Sequence, residues 1–336
     1  MTALPATSSG FRPARRKSFP LWASAPAYVL LYGLGVPIVR LLEAFGQWPP
    51  RVTGKGDKWR GRMRGDFGDY QPDEHDVVAC SYFKSGTNWL LQMTVQIAGR
   101  GRADFEHIHD VAPWPDGPVS SMSFSVPVED ETAWRTSPTG LRVIKTHAAA
   151  ADVPYTNAAR YIAVVRDPKS VCVSAYYFVK ALALGPLMPT IDNWAAFFMR
   201  PGFPLGDWAV HVAGFWAMRG RANVLFLTYE EMVKDLRLTV RRLAEFMGVD
   251  LTPDELDAVV KVSSVTHMKT ISAKFDFMKM TPWAKPEGAM VRRGQRGASD
   301  ELLSPAMQAR LDDHFRTELK RLGCDFPYDE AFGPGA

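Results

Sequence analysis

Four short segments of this 336-residue chain gather side chains able to bind phosphate, move a proton or stabilise an anion. The first is Lys84-Ser85-Gly86-Thr87, followed by Asn88 and Trp89. Gly86 permits a tight turn, the amides of Thr87 and Asn88 point outward at a helix N-terminus, and Lys84 and the hydroxyls add donors, which together make a phosphate cradle. It is not a Walker A loop, because Lys84 precedes the glycine and no obvious Asp follows to hold magnesium. The second segment, Lys145-Thr146-His147, sets an imidazole, a candidate general base, directly after a cation. The third, Arg166-Asp167-Pro168, has Ser174 eight residues after the arginine, so that both can address a terminal phosphate, the guanidinium in bidentate fashion. The fourth is Tyr229-Glu230. Each has a plainer alternative when taken alone: a βα turn with a solvated lysine, a core histidine, a surface Arg–Asp pair, a packed Trp89, a buried Tyr229.

What unites the segments is the position each holds in a repeating pattern. Short apolar, β-branched runs are followed by a turn and then by helical periodicity, the signature of a parallel sheet with crossover helices, an α/β fold. Strands are expected at Asp76–Cys80, Leu141–Thr146, Arg160–Val165 and Val224–Thr228. Helices are expected at Asn88–Ala98, Pro168–Leu184, Glu230–Met247, Pro253–Val262 and Pro305–Leu322, with Gly99, Gly248 and Gly323 as stops. All four segments then follow strand ends, and open parallel sheets bind ligands beyond the carboxyl ends of their strands.

Charge is distributed unevenly. Residues 1–70 carry eleven Lys/Arg against four Asp/Glu, leaving the rest at −3, which argues against nucleic acid as a partner of the body. Residues 1–18 read as a basic flexible arm and 49–71 as a basic linker, with the compact domain over 72–331. Between arm and linker, residues 19–48 are apolar, and Phe19 to Val39 carries no charge. Pro20, Pro26, Gly33, Gly35 and Pro37 interrupt this run, and it lacks the cleavage signature of a secretory signal. Basic flanks on both sides favour attachment to the cytoplasmic face of a membrane; the alternative is packing on the body as a substrate lid. Cys80, Cys172 and Cys324 have neither disulfide nor zinc-ligand spacing, suiting a reducing, cytoplasmic compartment.

The motifs together resemble the sulfotransferases that use 3′-phosphoadenosine 5′-phosphosulfate (PAPS). Lys84 to Trp89 resembles that family's 5′-phosphosulfate loop K-S-G-T-x-W, and the run from Arg166 to Ser174 its 3′-phosphate motif. Lys145-Thr146-His147 resembles the segment with its catalytic base, and Arg292-Arg293-Gly294 through Gly297 the loop that closes over the nucleotide. Phe83 replaces the usual proline, Val265 a common aromatic, and Ala298-Ser299 the familiar Asp-Trp. The resemblance implies a P-loop-like three-layer fold, a central parallel sheet flanked by helices, and transfer of a sulfuryl group from PAPS to a hydroxyl or amine without a metal. It implies catalytic roles for His147, Lys84 and Lys145. It also implies nucleotide contacts from Lys84, Ser85, Gly86, Thr87, Asn88, Trp89, Arg166, Ser174, Tyr229, Ser263, Ser264, Arg292, Arg293 and Gly294. Abundant aromatics, among them Trp114, Trp134, Trp194, Phe203 and Trp208, suggest an apolar pocket for a hydrophobic small molecule or lipid acceptor. Two other classes fit parts of the pattern: a P-loop-type kinase and a catalytically silent, membrane-tethered nucleotide-binding scaffold. Nothing in the sequence fixes an oligomeric state.

Overall fold

Strands buried on both faces are expected to be near-continuous apolar runs, and in the four runs the apolar residues are consecutive in the middle, with Asp76, Arg142, Lys145 and Arg160 at or near the ends. In the computed structural model the runs form β1 (Asp76–Ser81), β2 (Arg142–Thr146), β3 (Arg160–Val165) and β4 (Val224–Thr228). The structure describes residues 21–48, 67–117, 125–276, 281–285 and 298–333, with side chains from Pro26 onward. All pairings are parallel, in the order β2-β1-β3-β4. Val77 of β1 lies opposite Val143 and Arg160, and Cys80 opposite Thr146 and Ala163, so the carboxyl ends of β1, β2 and β3 are level. Because β1 is flanked by β2 on one side and β3 on the other, the chain reverses its direction of travel across the sheet there, which opens a crevice at that edge.

The helices are α1 (Leu21–Leu30), α2 (Val36–Ala44), α3 (Thr87–Ala98), α4 (Thr132–Thr136), α5 (Pro168–Val179), α6 (Ile191–Phe198) and α7 (Trp208–Ala217). After β4 come α8 (Tyr229–Lys234), α9 (Leu236–Met247), α10 (Pro253–Val262), α11 (Val265–Thr270), α12 (Pro305–Arg321) and α13 (Tyr328–Phe332). They cover both faces of the sheet. Val77 and Ala79 pack with Leu90 and Leu91 of α3, Leu243 of α9 and Val259 of α10. The alternate residues Val78 and Cys80 pack with Ile144, Tyr161 and Phe215 of α7 on the opposite face, as a period of two demands.

Two expected helices are divided. The Glu230–Met247 run breaks at Asp235, whose extended backbone (φ −148°) ends α8 while its carboxylate accepts the Leu238 amide and caps α9. The Pro168–Leu184 run is α-helical to Val179 and continues as a π-helical turn over Lys180–Leu184. Below the sheet, Arg142 and Asp76 form a buried ion pair at 2.8 Å, with Tyr70 bonded to both. Breaking such a pair costs about 3–5 kcal/mol, so this clamp fixes the β1–β2 register and with it the level of their upper ends.

Candidate active site

The loop after β1 is wound tightly. Lys84 and Gly86 both have left-handed backbones, at φ 64° and 90°. The Ser85 amide donates to the Tyr82 carbonyl at 3.0 Å, and Ser81 and Thr87 join hydroxyls at 2.6 Å. The Gly86 Cα lies so close to Tyr229 that a Cβ there would sit 2.6 Å from the ring. Glycine is therefore required both by φ and by the ring. The first amides of α3 are not consumed by the helix and remain available to an anion.

Arg166, at the end of β3, packs its guanidinium 4.3 Å from the centroid of Tyr229 and donates to the Lys84 carbonyl at 3.2 Å. Trp208 holds the Arg166 carbonyl from below at 3.0 Å. Tyr229 also meets Trp89 edge to face, and the Trp89 indole donates to the Ser263 carbonyl at 2.6 Å. The phosphate loop, Arg166, Trp89, Tyr229 and Ser263 thus form one contiguous patch. Three buried polar atoms in it, Ser85 Oγ, Arg166 Nε and Ser263 Oγ, have no hydrogen-bond partner among the described residues. Leaving such groups unpaired is costly, and an anionic nucleotide supplies what they lack, so these residues fit the proposed co-substrate. Ser264 caps α11, its Oγ accepting the His267 amide at 3.2 Å. Ser174 lies half-buried on α5 with no hydrogen bond to Arg166. Arg292, Arg293 and Gly294 lie outside the described residues.

His147 follows β2 directly, and its Nδ1 lies 2.8 Å from the Ser81 carbonyl oxygen. A carbonyl only accepts, so Nδ1 carries the proton and Nε2 keeps its lone pair. Burial, aided by the nearby Lys145 charge, holds His147 well below the usual imidazole range. It is therefore neutral near neutral pH, with Nε2 unprotonated. Its ring meets Phe83 and Trp114 edge-on, at 5.9 and 5.5 Å. Lys84 Nζ stands 4.3 Å above the Phe178 ring on the same side.

Lys145 rests its ammonium 3.4 Å from the Trp114 centroid and 3.5 Å from His109 Nε2. Burial and the Lys84 charge lower its pKa to about 7, against the opposing pull of Asp116. Asp116, wholly buried, accepts the His147 amide at 2.8 Å, and burial raises its carboxyl to about 6. Sequence reasoning missed Asp116 and His109. They lie 31 and 38 residues before His147, in an irregular loop with no motif of its own.

The aromatic expectation separates into parts. Trp114 stands at the site, whereas Trp194, Phe198, Phe203 and Trp208 are packed together in the core beside Phe315. Trp134 stacks on His75 at 3.9 Å, at the amino end of the sheet and far from His147.

A parallel sheet with a phosphate loop after its first strand, an arginine after the third and a neutral imidazole after the second defines a nucleotide-dependent group transferase. The family model described as "Sulfotransferase domain" matches residues 74–323. The chain belongs to the PAPS-dependent sulfotransferase family and is a sulfotransferase. It is 28% identical over 287 residues to sulfotransferase 1C2 of Oryctolagus cuniculus, covering 80% of this chain and 90% of that one. It is 30% identical over 199 residues to 3-beta-hydroxysteroid sulfotransferase of Cavia porcellus, covering 58% and 67%. The fold is similar to a crystal structure of retinol dehydratase in complex with retinol and PAP, with TM-score 0.63, 19% identity and coverage of 81% and 88%. The kinase and silent-scaffold alternatives are not favoured.

Proposed function

We propose that the chain moves the sulfuryl group of PAPS to the hydroxyl of a hydrophobic small molecule or lipid, with His147 as the base. The observation that carries this is the bond from His147 Nδ1 to the Ser81 carbonyl, which leaves Nε2 basic beside the phosphate loop. When bound, PAPS supplies an activated sulfuryl group whose leaving group is adenosine 3′,5′-bisphosphate. His147 Nε2 takes the proton of the acceptor hydroxyl. Lys84 and Lys145 offset negative charge that develops around the sulfuryl group and the departing oxygen, as fixed charges do in phosphoryl transfer. Arg166 and Ser174 hold the 3′-phosphate, and the amides of Gly86 to Asn88 hold the 5′ side, with Ser85 and Thr87. Trp89, Tyr229, Ser263 and Ser264 border the nucleoside, and Arg292, Arg293 and Gly294 are further nucleotide contacts by the family resemblance. This chemistry calls for no metal. Phe83, Trp114 and Phe178 around His147 and Lys84 support an apolar acceptor. The chain works in the cytoplasm, with residues 19–48 against a membrane surface.

The test is transfer of labelled sulfate from PAPS to a panel of phenols, sterols, long-chain alcohols and sugars. Labelling of apolar alcohols or phenols is expected. Labelling of sugars alone would refute the acceptor class.

A further inference from the structure

The helix ahead of the catalytic body has two unlike sides. From Leu21 to Ala44 the chain is one helical rod, α1 and α2 joined by a π-helical turn over Leu31–Gly35, roughly 36 Å long at ~1.5 Å per residue. Its inner side is fastened to the body. Leu31 is buried, Gly35 approaches Leu187 so closely that a Cβ would stand 2.9 Å from it, and Tyr28 meets Trp283 edge-on. Glu43 accepts the Thr190 amide at 2.6 Å and the Asn193 side chain at 2.9 Å, at the N-terminus of α6, while Arg40 donates to the Met188 carbonyl at 3.2 Å.

The outer side has no such partners among the described residues. Val29, Leu30, Tyr32, Leu34, Ile38, Leu41 and Phe45 are each more than half exposed, Val29 at 73% and Phe45 at 72%. Between Pro26 and Phe45 the only charges are Arg40 and Glu43, which pair with each other and with the body; Glu43 is turned inward and the half-exposed Arg40 is the one charge this stretch shows to solvent. A continuous apolar face of this extent marks an interaction surface.

Charge selects the partner. Arg12, Arg15, Arg16 and Lys17 precede the rod, and Arg51, Lys55, Lys58, Arg60, Arg62 and Arg64 follow it. Basic groups at both ends of an apolar face complement anionic headgroups around a hydrocarbon interior. A second copy of the chain would bring like-charged flanks together. Because α2 is latched to α6 and Met188, the rod lies along the body and does not cross a bilayer.

We infer that the outer face of the Leu21–Ala44 rod rests on an anionic lipid bilayer and that the acceptor is an alcohol dissolved in that bilayer. The inference rests on the proposed transfer to an apolar hydroxyl. The rod rests on Gly185–Leu187 and Met188, which follow α5 through the π-helical turn Lys180–Leu184. Phe178 of α5 carries Lys84 on its face and packs on Phe83, which in turn meets His147. The segment of the body under the rod thus leads back along the chain to Phe178 and the wall of the site. A water-insoluble alcohol leaving the bilayer there meets apolar surface toward His147.

The full-length chain is floated with phosphatidylcholine vesicles with and without phosphatidylserine, alongside the triple variant Leu34→Asp, Ile38→Asp, Leu41→Asp. The parent is expected to float with the anionic vesicles, and the variant to lose at least about tenfold of that binding. Sulfation of a sterol embedded in the vesicles should fall with it, while sulfation of a water-soluble phenol and calorimetric nucleotide binding stay within about twofold. A parent that does not float, a variant that floats equally, or a variant that instead dissolves a parent dimer overturns the inference. Loss of phenol sulfation in the parent, with flotation intact, would strike the proposed acceptor chemistry and spare the membrane surface.

Discussion

His147 Nδ1 and the carbonyl oxygen of Ser81 stand 2.8 Å apart, so the last residue of β1 sets the tautomer of the imidazole that follows β2. The contact exists because the two parallel strands end level, Cys80 opposite Thr146. His147→Ala should lower kcat by about 10²–10⁴-fold and leave nucleotide affinity close to that of the parent. Since the imidazole is held well below its usual range, protonation should cut turnover only well below pH 6.5, with a flat profile just above. Turnover assays and calorimetry check both; a variant keeping half the parent kcat removes His147 from the mechanism.

Gly86 faces Tyr229 with no room for a methyl group and with φ at 90°. Gly86→Ala should strain the loop by about 1–3 kcal/mol and displace Tyr229 from Arg166. Nucleotide binding should weaken about tenfold or more, and the melting temperature should fall by about a few degrees, because strain in the folded loop comes off the folding free energy. Unaltered affinity would mean that the loop does not cradle the ligand.

Arg166 stacks on Tyr229 while its buried Nε has no partner among the described residues. Charged hydrogen bonds contribute about 1.5–3 kcal/mol, so Arg166→Ala should weaken adenosine 3′,5′-bisphosphate far more than its analogue lacking the 3′-phosphate. Ser174→Ala should act in the same sense and less strongly. Equal losses for both ligands, measured by calorimetry, would assign these residues to folding.

Lys145, lowered to about 7, is largely deprotonated above that pH in the free protein. An anion beside it favours the ammonium, so nucleotide binding between about pH 7 and pH 10 should take up a proton. Binding enthalpies in buffers of different ionisation heat read this directly, and Lys145→Met should abolish the buffer dependence. Uptake that persists in the variant would place the titrating group elsewhere.

The strands and the chemistry at their ends are legible in the sequence because both are local. A run such as Arg160–Val165 is apolar from Ile162 onward, and Lys84 to Trp89 is a contiguous loop whose donors are set by short-range backbone geometry. Level strand ends then follow from the parallel topology. Tertiary structure alone decided the rest, since each remaining feature depends on contacts between residues distant in the chain. Asp116 and His109 reach β2 by way of a loop that has no periodicity, and their roles appear only when burial changes their proton affinity and that of Lys145. Trp134 and Trp208 are alike in composition, yet one stacks at the amino end of the sheet and the other supports Arg166. The apolar residues of the Leu21–Ala44 rod show on the page as a long uncharged run, but only docking through Glu43 and Arg40 determines which of them remain outward. Periodicity marks an apolar residue, and long-range packing determines what, if anything, covers it.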